Sequence, residues 1–129
     1  MAIHVRQPGL LTTLQDLGRY GYQKYGVSAG GAMDAFAHRA ANLLVGNRAG
    51  EATLEMTWRG PELEFAAPAL IAVCGGDLAP EIGGVPVPLW RPVYVRAGAV
   101  LSFGVARGGF RAYLAVAGGF RAERRLGLG

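Results

Sequence analysis

Residues 52–65 read Ala52-Thr53-Leu54-Glu55-Met56-Thr57-Trp58-Arg59-Gly60-Pro61-Glu62-Leu63-Glu64-Phe65. Leu54 and Met56 alternate with Thr53, Glu55 and Thr57, Gly60-Pro61 breaks the run, and Leu63 and Phe65 resume it. Successive side chains of a strand point to opposite faces, so this period of two predicts two strands joined by a turn. Thr53, Glu55 and Thr57 then share one side, which faces solvent or, if the fold encloses a polar interior, lines it. Leu70–Cys74, Pro92–Arg96, Val100–Val105 and Phe110–Val116 repeat the signal downstream. Gly75-Gly76-Asp77, Gly83-Gly84, Ala97-Gly98 and Gly108-Gly109 read as the breaks between them, with Asp77 capping a turn or, as the second reading, pointing into the same polar interior as Glu55. Upstream, Ile3–Arg6 alternates until Gln7-Pro8-Gly9 stops it. Many short strands punctuated by 21 glycines predict a mainly β fold. Closing them into a small β-barrel removes exposed edges.

One helix interrupts this pattern. Met33, Phe36, Ala37, Ala40, Ala41 and Leu44 recur at helical spacing over Met33–Val45 and predict a buried stripe. Asp34, His38 and Asn42 fall on the opposite, solvent side of that wheel. Asp34 suits the positive end of the helix dipole, and Gly46-Asn47 supplies the stop.

The 129 residues fit a single domain, 1–129. With 51% apolar residues and a net charge of +4, the chain is neither disordered nor in need of a covalent staple. Its best apolar run, Ala66–Val73, is broken by Pro68 and falls far short of the roughly 20 residues of a membrane span, so no membrane association is expected. The N-terminus lacks the basic-then-apolar order of a signal peptide, and Cys74 has no second cysteine to pair with. The expected compartment is the cytoplasm. Arg121, Arg124 and Arg125 form a short basic tail without interleaved aromatics, which reads as a solvated terminus rather than a nucleic-acid surface.

Several chemistries lack their residues. His4, His38 and Cys74 do not make metal-ligand spacings, so no metal site is expected. Neither a Gly-x-Ser-x-Gly elbow nor a Walker-type phosphate loop occurs. Residues 10–31 remain, a stretch without periodicity that concentrates Thr12, Thr13, Gln15, Asp16, Arg19, Gln23 and three tyrosines on glycine hinges. Two readings stand. In one, Asp16 and Arg19 form a local ion pair and the tyrosines cap the fold. In the other, Arg19 presents a forked donor to a carboxylate or phosphate, while Gln15 and Gln23 orient a small amide. Asp34, Arg39 and Asn42 on the helix would complete that pocket.

The stretch Pro8-Gly9-Leu10-Leu11-Thr12-Thr13-Leu14-Gln15-Asp16-Leu17-Gly18-Arg19, with Gly21-Tyr22-Gln23 and Gly26-Val27, resembles the opening of the KipA family. That family is also called allophanate hydrolase subunit 2-like, or the C-type subunit of 5-oxoprolinase. The resemblance continues through Gly31-Ala32-Met33-Asp34, Ala41–Asn47, Leu54-Glu55, Gly60–Leu63 and Arg111–Gly119, covering nearly the whole chain in order. It implies a cyclophilin-like β-barrel, the N-terminal of two in a longer protein. Gly30 stands where the family has a serine.

By resemblance, the function is an ATP-dependent 5-oxoprolinase, a lactam-opening hydrolase. It would work with a KipI-like partner, the B-type component of 5-oxoprolinase, and with a third lactam-utilisation subunit. ATP would be held mostly outside this chain. Asp16, Arg19 and Asp34 are the catalytic candidates, with Thr12, Gln15, Gln23 and Asn42 binding a small amide or lactam. The resemblance carries two alternatives. One is a non-catalytic module that antagonises a KipI-like kinase inhibitor, and the other is part of a biotin-dependent urea carboxyltransferase.

Overall fold

The computed structural model describes residues 3–15 and 32–120, and residues 126–128 by their backbone alone. Over these residues the chain forms β1 (Ile3–Gln7), β2 (Leu11–Gln15), α1 (Ala35–Leu44), β3 (Thr53–Thr57), β4 (Glu62–Phe65) and β5 (Ala69–Asp77). The order continues with β6 (Glu81–Ile82), β7 (Val85–Pro86), β8 (Val93–Val95), β9 (Val100–Ser102), β10 (Gly108–Val116) and β11 (Leu126–Leu128).

The strands make two sheets, of order β11-β1-β4-β9-β6-β7 and β2-β3-β10-β5-β8. Among the described residues, all pairings are antiparallel except β1 with β11. This corrects the expectation of one closed barrel, because no ladder joins the two sheets among the described residues and only an isolated Arg59–Val105 bridge lies outside the strands. Alternation requires that one face of a strand be buried, and two stacked sheets satisfy that as well as a closed one.

Between the sheets lies a dry core that includes Leu54, Met56, Leu63, Phe65, Ile71 and Leu114. A second apolar cluster sits on the other side of the five-stranded sheet, where Ala37, Ala41 and Val45 of the helix region meet Ala72, Cys74, Tyr113 and Ala115. The helix is shorter than the pattern predicts and begins at Asp34, whose Oδ1 accepts the Ala37 N–H at 3.0 Å. Its orientation is also corrected. His38 and Asn42 are fully buried, whereas Phe36 is 73% exposed and Met33 69%. Small alanines let the helix lie close to the sheet, and His38 and Asn42 tolerate burial because both find hydrogen-bond partners there.

Two local readings also change. Leu11–Gln15 is an edge strand rather than irregular chain, held among the described residues by β3 alone in a register that pairs Thr13 with Glu55 and Gln15 with Thr53. Gly75-Gly76 belongs to β5 rather than to a break. A Cβ at Gly76 would meet the Gly109 carbonyl oxygen at 2.6 Å, so these glycines permit close approach of β5 to β10. Asp77 does cap a turn, accepting the Ala79 N–H at 2.8 Å.

Candidate functional site

The outer face of the five-stranded sheet carries a polar strip. Cross-strand register sets Thr13 beside Glu55, Glu55 beside Tyr113, and Tyr113 beside Cys74. Gln15 beside Thr53 forms the row to one side, and Leu11, Thr57 and Arg111 the row to the other. Alternation puts these residues on the face opposite Leu54 and Met56. The helix covers part of it, so a sequence that reads as half solvent-facing is buried on both sides: Glu55 is only 7% exposed.

Hydrogen bonds organise the strip around the start of the helix. The Tyr113 hydroxyl donates to Glu55 Oε2 at 2.5 Å and accepts the Asp34 N–H at 2.9 Å. Glu55 Oε2 also accepts the Met33 N–H at 3.0 Å. Both backbone donors just ahead of α1 therefore end on a buried pair from β3 and β10. Burial pushes the Tyr113 phenol well above its ordinary value, and the hydrogen bond to Glu55 pushes it further. The phenol thus stays a donor, and the short bond is charge-assisted when Glu55 is ionised. Next to it, burial pushes the Cys74 thiol up to about 11, which makes it a packed side chain and a poor nucleophile.

His38 stands edge-on to the Tyr113 ring, the centroids 6.3 Å apart, and its Nδ1 lies 2.8 Å from Thr53 Oγ1. The Asn42 amide nitrogen lies 3.5 Å from its Nε2. Asn42 also donates to the carbonyls of Glu51 at 2.8 Å and Ala49 at 3.2 Å, and its oxygen accepts from Asn47. Asn47 in turn reaches the Val116 carbonyl at 2.9 Å. These two amides tie the end of the helix to the end of β10.

The candidates read from sequence are thus distributed unevenly. Asp34 sits at the exposed N-cap, one oxygen engaged by Ala37 and its backbone held by Tyr113. Gln15 is buried, donates to Thr13 Oγ1 at 2.9 Å, and leaves its Oε1 without a partner among the described residues. Thr12 points to the other side of β2 and donates to the Pro8 carbonyl at 2.7 Å. Asn42 has its amide committed to the helix end. Asp16, Arg19 and Gln23 lie outside the described residues. Sequence reasoning gave no role to Tyr113 and set His38 in solvent. Spacing alone places neither: sheet register pairs 113 with 55, and His38 finds its partner Thr53 15 residues away.

The described residues contain no group of three or more His, Cys, Asp or Glu able to hold a metal ion, and no helix long and apolar enough to cross a membrane. What the strip offers is hydrogen bonding to a small polar molecule: an exposed carboxylate at Asp34, an unused amide oxygen at Gln15, and the Arg111 side chain on the same face.

Residues 25–127 match the family described as carboxyltransferase domain, subdomain A and B. The chain is 45% identical over 120 residues to a putative urea carboxylase of Emericella nidulans, covering 92% of this chain and 10% of that protein. Against the C-type subunit of 5-oxoprolinase from Escherichia coli the identity is 37% over 117 residues, 91% of this chain and 38% of that one. The crystal structure of the Kluyveromyces lactis urea amidolyase superposes with a TM-score of 0.81 at 39% identity, over 91% of this chain and 7% of that one. The chain therefore spans a small part of the length of the urea-acting relatives and just over a third of the 5-oxoprolinase relative.

Proposed function

Because this chain belongs to the carboxyltransferase domain, subdomain A and B family, we propose that it supplies one subdomain of an enzyme acting on a small amide, with Asp34 as the group that exchanges the amide proton. The observation that carries this reading is the clamp under Asp34. Glu55 and Tyr113 fix the Met33 and Asp34 N–H groups, so an exposed carboxylate stands on a backbone that cannot drift. A proton carrier has to be held within hydrogen-bond reach of its substrate, and a rigid sheet underneath provides that. Tyr113 and Glu55 are positioning residues here. Arg111, two residues before Tyr113 on β10, is suited to the substrate's carbonyl oxygen or a carboxylate.

In the lactam version the substrate is 5-oxoproline. The chain works with a KipI-like partner of the B type and a third subunit, and ATP is bound mainly by them. Opening the ring requires the departing amide nitrogen to take up a proton, which Asp34 would deliver. In the urea version the substrate nitrogen would take a carboxyl group from a biotin carrier, the carrier–carboxyl bond breaking as the new C–N bond forms, and the proton lost from that nitrogen would pass to Asp34. The 45% identity to a putative urea carboxylase favours giving the second version equal standing.

The test is Asp34→Asn in the assembled full-length enzyme, with ADP release measured against 5-oxoproline and, separately, against urea with bicarbonate. Asparagine caps a helix as well as aspartate, so the fold and the complex should persist. Turnover should fall by about 10²-fold or more with KM little changed. Equal turnover in the variant overturns the assignment of Asp34. Stable association with a KipI-like partner but no turnover on either substrate in the unmutated protein would replace the enzyme reading with the regulatory one.

A further inference from the structure

At the end of this strip, one residue past Thr57 on β3, the corner at Trp58 holds a feature that neither fold nor clamp requires. The Arg59 N–H bonds to the Thr57 carbonyl at 2.8 Å, closing a three-residue γ-turn with Trp58 at its centre and φ +68. This positive-φ γ-turn is rare and strained, and a bulky aromatic in the left-handed region is an outlier. The surrounding backbone enforces it. Trp58 N–H bonds to Phe110 O at 2.8 Å, Ala106 N–H to Trp58 O at 2.6 Å, and Leu10 N–H to Arg59 O at 3.0 Å. Gly9, at φ +75, lets the β1–β2 turn pass so close that a Cβ there would meet Arg59 O at 2.6 Å.

The turn aims the indole outward. It lies against the Phe110 ring, the centroids 4.6 Å apart, with about half its surface open. A cavity of about 410 Å³ opens beside it, lined by Gly9, Leu10, Trp58, Arg59 and Val105. A second cavity of about 320 Å³ shares Gly9 and Arg59 with the first and continues past Gln7 and Glu62. The first volume lies in the range of small-molecule sites.

Charge narrows the ligand. Arg6 pairs with Glu62 at 3.5 Å, and Arg107 pairs with Asp77 at 3.3 Å. Glu62 additionally accepts from Ser102. Among the described residues Arg59 has no such acid, although it lines both cavities. An aromatic face and a leucine–valine wall next to that one guanidinium match a flat apolar body that bears a single carboxylate.

We propose that this corner is a binding site for a small planar carboxylate, its ring against the Trp58 indole and its carboxylate on the Arg59 guanidinium. The inference stands apart from the Asp34 reading, since the cavities share no residue with the polar strip around that carboxylate. Backbone strain is stored where a fixed geometry serves a site, and here it fixes the ring that walls the cavity.

The experiment titrates the full chain with indole-3-acetate and, in parallel, with the neutral indole-3-acetamide, following backbone amide and indole N–H signals by NMR. Saturable shifts at Leu10, Trp58, Arg59 and Val105 are expected for the acid, with the amide binding about tenfold more weakly or worse. Arg59→Gln should weaken the acid by a similar factor and leave the amide unaffected. Trp58→Gly removes the ring while suiting the positive φ. Binding should then vanish while signals distant from the turn stay in place. Equal affinity for acid and amide, shifts confined to other surfaces, or retained binding in Trp58→Gly each overturn the proposal.

Discussion

Around Leu54 and Glu55 the two faces of the β2-β3-β10-β5-β8 sheet are both shielded from water, by different means. Leu54, Met56, Ile71, Val73 and Leu114 on one face pack into the dry core between the sheets. On the other, Thr53, Glu55 and Tyr113 sit under a helix and bond to one another, to His38 and to the chain ahead of that helix. Adjacent residues of one strand therefore do different jobs. Leu54 holds the sheets together through area removed from water, with no directional demand. Glu55, one position on, fixes a backbone through hydrogen bonds whose loss would strand buried donors.

That contrast is open to a direct challenge on β3. Leu54→Ala removes a fully buried side chain where little can collapse, and should cost about 3 kcal/mol. Glu55→Leu leaves the Tyr113 hydroxyl without its acceptor and the Met33 N–H unpaired, and should cost about 2 kcal/mol. Glu55→Gln, which keeps an acceptor oxygen, should recover most of it. Denaturant unfolding reads all three, with the slope m unchanged. A neutral Glu55→Leu would mean that the outer face is mere packing like the inner one, and that the clamp under Asp34 is not energetically real.

Legibility in the sequence follows the same division. Strands β3, β4 and β10 and the helix were readable because their alternation or helical spacing reflects burial of apolar groups. The face that α1 buries was not, because it is chosen by partners: Thr53 for His38 and the Glu51 carbonyl for Asn42 lie 15 and 9 residues away. A wheel drawn from hydropathy alone turns Phe36 inward and His38 outward. The alternation of 53–57 also hides that both sides of β3 are covered, since a buried polar face and a wet one are written with the same residues. Asp34 at the helix cap was legible from local chemistry. Tyr113 as its support was not, being 79 residues distant.

A second challenge uses protons instead of substitutions. Tyr113 and Cys74 both hold their protons more tightly in the folded chain than when unfolded, Cys74 moving from 9.0 to about 11 and Tyr113 rising above its ordinary 10.0. The unfolded chain then releases protons first as pH rises. Stability contributed by both groups is complete below about pH 9 and declines as pH climbs through the shifted values. The unfolding midpoint should fall between about pH 8 and pH 10.5, and Cys74→Ala should flatten that fall, since in that window the unfolded thiol loses its proton while the folded one keeps it. Leu54→Ala should lower the midpoint equally at both pH values. If Cys74→Ala leaves the slope intact, the outer face is wetter than its burial indicates.

The smallest effect concerns Gln15, where the outer face departs from its own rule. Its Nε2 donates to Thr13, but its Oε1 is buried without a partner among the described residues, so the side chain already carries the cost of one unmet acceptor. Gln15→Leu removes that acceptor together with the donor. Thr13, which loses the bond, is only half-buried and can turn to water. The substitution should therefore be neutral or slightly stabilising, within about 0.5 kcal/mol, whereas Thr53→Val, which deprives His38 of its oxygen, should cost about 1 kcal/mol. If Gln15 serves an amide substrate through Oε1, the leucine variant should raise KM in the assembled enzyme while its unfolding midpoint stays at or above that of the parent. A loss of stability above about 1 kcal/mol would show instead that Oε1 is satisfied in the free protein, and would return Gln15 to the same class as Glu55.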